Sequence, residues 1–106
     1  MKKLNFLPPG SISLRGTLGT ALHNTVYNRL LQINYSRLVD PFRFRNEEDC
    51  LWRCEFWGKI VRSAIRCLRC EPSPELLVTI KNTVEDLLST RSSDGCISSY
   101  PTDQQL

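Results

Sequence analysis

A second histidine is missing from this chain, and with it the commonest partner for a metal-binding imidazole. His23 stands alone among 106 residues, so it reads as a surface or boundary side chain rather than a ligand. Long apolar runs are missing too. No stretch approaches the ~18 residues that a membrane-crossing helix needs, and no membrane partner is expected. Met1 to Gly10 begins like a secretion signal, but its apolar part is short and Pro8-Pro9 ends it. The reading is a soluble, cytoplasmic chain. Runs of one charge are scarce as well: despite a net charge of +3, no Lys/Arg cluster goes beyond Lys2-Lys3, which argues against a nucleic-acid partner. Cys50, Cys54, Cys67, Cys70 and Cys96 are odd in number, and without a secretion signal they read as reduced thiols rather than a disulfide framework.

What is present is ordinary globular composition, 41% hydrophobic and 24% charged, in a length that suits one domain or part of one. Residues 1–13 read as an extended amino-terminal segment, because Pro8-Pro9-Gly10-Ser11 is too stiff and too glycine-terminated to begin a helix. From Leu14 to Ile33, Leu14, Leu18, Leu22, Val26, Leu30 and Ile33 recur at spacings of four and three, the stripe of one buried helix. Asn34 to Asp49 loses that period. Pro41 discourages helix at the residue before it, and Phe42 and Phe44 alternate with Arg43 and Arg45, so a long connection with aromatic anchors and solvated arginines is expected.

A second helix is expected from Leu51 to Leu68, with Phe56 or Trp57, Ile60, Val61, Ala64, Ile65 and Leu68 as its apolar stripe. Glu47, Glu48 and Asp49 precede it, where carboxylates suit the positive end of the helix dipole. Arg62, Arg66 and Arg69 fall on the other face and read as solvent-facing. Pro72 stops this helix. Ser73 is a natural N-cap and Pro74 fits the first turn of a third helix, whose stripe is Leu76, Leu77, Ile80, Val84, Leu87 and Leu88. The short link predicts an antiparallel hairpin. Asp94-Gly95 is a turn signal, with Asp94 suited to bond the backbone two residues on. Three one-sided helices present more apolar face than they can cover among themselves, which suggests the opening of a longer helical array.

The densest chemistry lies in Leu51 to Lys59, which holds both tryptophans, Glu55 and Lys59. Glu55 has two readings: a hydrogen-bonding group of a small-ligand pocket with Trp57 as a wall and Lys59 as a charge partner, or a carboxylate at a helix start with the aromatics in the core. Glu55 and Lys59 are four apart and suited to pairing on the helix surface. Cys67 and Cys70 form a Cys-x-x-Cys pair, but no second pair or histidine completes a tetrahedral zinc site, so no metal ligands are assigned.

Trp52 to Lys59, then Pro74-Glu75-Leu76, Leu87 to Thr90 and Asp94 to Tyr100 follow one another in a way that resembles the amino-terminal part of the β-L-arabinofuranosidase-like glycoside hydrolases, glycoside hydrolase family 127 and its relatives. The resemblance covers roughly residues 6–106. It departs at Cys96 and Ser98, where the family's turn has tyrosine and glycine, and at Arg66 and Arg69, where the family has apolar or small residues. It implies an all-α fold of antiparallel helical hairpins forming part of an (α/α)6 toroid, with the whole of 1–106 as a single partial domain. It also implies a fragment of a glycosidase acting on arabinofuranosides or related plant-type glycans when complete. The family's zinc-bound cysteine nucleophile and its acid/base glutamate belong to a segment beyond Leu106. No catalytic residue is therefore assigned here, zinc is implied only for a complete enzyme, and the chain is expected to be inactive alone. Glu55, Trp57, Lys59 and Tyr100 are the residues expected to contact carbohydrate. The alternative is a small all-α protein-interaction module without catalysis, whose exposed apolar helix faces bind a partner helix or self-associate.

Overall fold

Local side-chain caps mark where two of the described helices begin. In the computed structural model, which describes residues 2–46 and 54–104, four α-helices and two 3-10 turns follow in order: α1 (Gly16–Asn28), a turn (Leu30–Gln32), α2 (Tyr35–Phe44), α3 (Cys54–Cys70), α4 (Pro74–Ser89) and a turn (Thr102–Gln104). The described residues are all helical or irregular, with no strand. None of their helices is long and apolar enough to cross a membrane.

α4 starts as its sequence predicts. The Ser73 hydroxyl accepts a hydrogen bond from the Leu76 amide at 3.2 Å, and Pro74 occupies the first turn, where its missing N–H would have had no partner. Thr90 closes the other end, its amide donating to the carbonyls of Leu87 and Leu88.

The connection expected between Asn34 and Asp49 is instead largely the helix α2. Asn34 caps it by accepting from the Arg37 amide. Tyr35, Val39 and Phe42 are buried and, with half-buried Leu38, form an i, i+3, i+4, i+7 stripe. Pro41 sits inside the helix and is itself buried. It removes one backbone donor, a cost of roughly 3 kcal/mol in an isolated helix. Burial of Val39 and Phe42, where α2 packs against both α3 and α4, offsets that cost at about 1.5–3 kcal/mol per side chain. Arg45 ends α2 in the left-handed region, at φ 49°.

α1 is also shorter than its stripe predicts. The helix stops at Asn28, Arg29 departs from helical geometry, and a 3-10 turn carries Leu30 inward. Only the carboxyl-terminal part of the stripe is covered: Val26 and Leu30 are buried, whereas Leu14 is exposed and Leu18 is 69% exposed. α1 passes beside the α3/α4 turn, where the His23 ring, tilted against Tyr27, reaches the Glu71 carboxylate at 3.0 Å.

The core forms where α1, the first 3-10 turn, α2, α3 and α4 meet, through Val26, Leu30, Tyr35, Val61, Ala64, Leu76 and Ile80. On α3 the stripe resolves in favour of Trp57, half-buried, over exposed Phe56. Ile65, expected inside, is 49% exposed, because α2 and α4 cover only the neighbouring face through Val61 and Ala64. The start expected for this helix at Leu51, and the acidic residues Glu47 to Asp49 before it, lie outside the described residues.

Candidate functional site

The amino-terminal segment lies across the end of α3. The Gly10 amide donates to the Arg69 carbonyl at 2.8 Å, and the Arg69 guanidinium donates to the Leu7 carbonyl at 2.5 Å while lying 5.6 Å from the Phe6 ring centroid. This tether holds an extended strap against the helix, with Phe6 and Leu7 exposed. Two open clefts adjoin it. One, of about 550 Å³, is lined by Phe6, Trp57, Val61, Ile65, Val84 and the arginines Arg62, Arg66 and Arg69, with Gly58 at one end. The other, of about 540 Å³, lies toward the α3/α4 turn and includes Pro9, Leu68, Pro72, Leu77 and Ile80. They meet at Ile65 and Arg69, which line both, and together form a trough along α3.

The trough is apolar on its floor and basic along one edge. Arg62 and Arg66 are exposed, and among the described residues neither takes part in an ion pair or hydrogen bond with another side chain. They were expected to face solvent, and they do. The sequence left unsaid that they stand beside an uncovered apolar surface, because that depends on which face of α3 the other helices leave bare.

The expected sugar contacts occupy separate settings. Glu55 and Lys59 pair with each other at 2.7 Å on the exposed surface of α3. The hydrogen bond and charge of Lys59 hold the Glu55 carboxyl below its ordinary value, so it is an ionised surface group. Trp57 turns its indole N–H to the buried Thr83 hydroxyl at 2.9 Å and shows the trough only part of its ring. Tyr100 is exposed, its amide bonded to the Ser98 hydroxyl, and it lines neither cleft. The structure brings Glu55 to Lys59 and Trp57 to the trough, and does not gather the four into one pocket. No family model, curated protein or solved structure matches this chain.

The four described cysteines, Cys54, Cys67, Cys70 and Cys96, are free and half-buried; Cys50 lies outside the described residues. Cys67 and Cys70 are half-buried, and burial, followed by the neighbouring Cys70, pushes the Cys67 thiol up. Cys54, at the start of α3, lies 2.7 Å from the buried Ser99 hydroxyl. Among the described residues no three His, Cys, Asp or Glu side chains come together to hold a metal ion. Asp94 forms its turn as expected, accepting from the Ser92 hydroxyl and the Cys96 amide, bonds that keep its carboxyl below the ordinary range.

Sequence reasoning missed Arg45. Expected to be solvated, it is half-buried and donates to the carbonyls of Phe42 at 3.1 Å, Thr90 at 2.8 Å and Cys96 at 3.4 Å. It thereby clasps the end of α2 to the end of α4 and to the segment beyond.

Proposed function

We propose that this chain is a small all-α protein-interaction module without catalysis, built around an antiparallel α3/α4 hairpin whose outer face receives a segment of another protein. The observation that carries this reading is the trough: Ile65 and Leu77 stand exposed in it beside Arg62 and Arg66, which form no ion pair among the described residues. An uncovered apolar floor with a charged margin is the usual form of a docking surface.

Placement of the expected sugar contacts lends less to the glycosidase reading. Glu55 and Lys59 satisfy each other on the exposed surface of α3, and Tyr100 lines neither cleft of the trough, so the four expected contacts do not share one pocket. The resemblance to the arabinofuranosidase-like hydrolases still prescribes a definite test. Tagged wild-type chain and a Gly58→Leu variant are purified from the native cell, and both are incubated with a panel of p-nitrophenyl arabinofuranosides. A specific partner retained by the wild type and lost by the variant is the expected result. Turnover of an arabinofuranoside that Glu55→Gln abolishes would overturn the interaction reading.

A further inference from the structure

The basic edge of the trough has a definite geometry. Arg62, Arg66 and Arg69 stand at i, i+4 and i+7 on α3 and so share one side of the helix. Arg69 already gives one guanidinium nitrogen to the strap at Leu7, while Arg62 and Arg66 have no acidic partner among the described residues. The other described charges of α3, Glu55 and Lys59, neutralise each other, which leaves the helix positive along the trough. Beside this row run Trp57, Val61, Ile65 and Val84. At the Trp57 end the floor is bare: a Cβ added at Gly58 would meet nothing within 4 Å.

We propose that the trough binds an amphipathic helix of a partner protein that carries aspartates or glutamates along one edge and aliphatic or aromatic side chains on the adjoining face. This rests on the interaction reading and specifies its partner. Charge selects the occupant. A second copy docked face to face would set its own arginine row in the same low-dielectric seam, where like charges are costly. Carboxylates at matching spacing instead form charge-assisted, bidentate pairs with the guanidinium groups. Length fits as well, since Trp57 to Arg69 spans about 18 Å of helix, room for roughly three turns of an occupant lying alongside. The apolar floor supplies the burial that a purely electrostatic ligand would not use.

The test is fluorescence anisotropy of a labelled amphipathic peptide of about 18 residues, long enough to hold a helix, titrated with the full chain. Leu and Phe form its apolar face and Glu its flank. Two matched peptides carry Lys in place of Glu, or Ser in place of the apolar residues. The acidic peptide is expected to bind saturably, and each control roughly tenfold or more weakly, the equivalent of one strong charge pair or buried side chain. Gly58→Leu, which fills open space and should keep the circular-dichroism spectrum of the wild type, is expected to weaken the acidic peptide by a similar factor. The double variant Arg62→Glu/Arg66→Glu should reverse the preference in favour of the lysine peptide, a switch that mere unfolding cannot produce.

Equal binding of the acidic and lysine peptides, absence of the reversal, or saturable binding of a single-stranded oligonucleotide lost in Gly58→Leu would each overturn the acidic-helix assignment. So would a dimer that Gly58→Leu dissociates, since it would give the trough to a second copy. The oligonucleotide result would overturn the protein-interaction reading as well; the other outcomes leave that reading standing, and it falls separately if the chain proves to be a glycosidase.

Discussion

Among the described residues, Tyr35 carries a buried hydroxyl with no hydrogen-bond partner. The ring belongs to the core at the first turn of α2, so its burial is favourable and its oxygen is a cost. A desolvated hydroxyl without a partner is worth about 1–3 kcal/mol of lost stability. Tyr35→Phe is therefore expected to raise stability by about 1 kcal/mol at neutral pH, measured by urea unfolding. Burial also lifts the phenol above its ordinary value of 10.0. The unfolded chain then loses this proton before the folded one. Wild-type stability is unaffected by the group below about pH 10 and falls as pH climbs through the folded value. The gap between Tyr35→Phe and wild type should widen above about pH 10; a constant gap, or a less stable variant, contradicts the reading of an orphaned hydroxyl. Arg45 makes the opposite case at this scale. Its partners Thr90 and Cys96 lie 45 and 51 residues away, so nothing near it in sequence announces its role. The solvated arginine expected from the local pattern was the natural reading.

Elements differ in how far their own residues specify them. The start of α4 was legible, because Ser73 and Pro74 act within a few residues of one another, but Leu77 and Leu88 of its expected stripe are exposed and Thr83 is buried in their place. α2 was hidden by Pro41, although Asn34 and the spacing of Tyr35, Leu38, Val39 and Phe42 carried the opposing signal. Its burial between α3 and α4 outweighs a local penalty, the usual way in which tertiary packing overrides propensity. α1 shows a further non-local constraint. A Cβ at Gly19 would come within 2.5 Å of the Leu14 carbonyl oxygen, because the chain before Gly16 folds back over the first turn of the helix. Glycine to alanine in a helix ordinarily adds about 0.5–1 kcal/mol. Gly58→Ala, with open space around it, should show that gain in thermal unfolding. Gly19→Ala should show none, and limited proteolysis within residues 2–14 should speed up as the backbone at Leu14 is displaced. Equal stabilisation by the two substitutions would show that the fold-back is not held.

At the scale of the whole molecule, the helices leave one side of α3 bare, and this uncovered side is what the sequence could not disclose. Its residues were all visible: Ile65 counted toward the stripe, and Arg62, Arg66 and Arg69 toward the solvent face. Their meaning depends on where α2 and α4 stop covering α3 and where the strap crosses it, facts of packing that no periodicity contains. α1, α3 and α4 follow from local pattern, because each carries an apolar stripe, whereas α2 was read as a connection. The aromatic stretch around Trp57 was recognised as a functional candidate, and the structure divides it into a core contact to Thr83, a surface ion pair and one wall of the trough.

The most direct measurement places a photo-crosslinking residue at Ile65, on the ridge where the two clefts meet, and at Lys81 on the exposed surface of α4. Irradiation in the native cell should give a discrete adduct to another polypeptide from position 65, lost when Gly58→Leu is added, and none from position 81. The same adducts from both positions, or an adduct at 65 that survives Gly58→Leu, would contradict the assignment of this face as the docking surface.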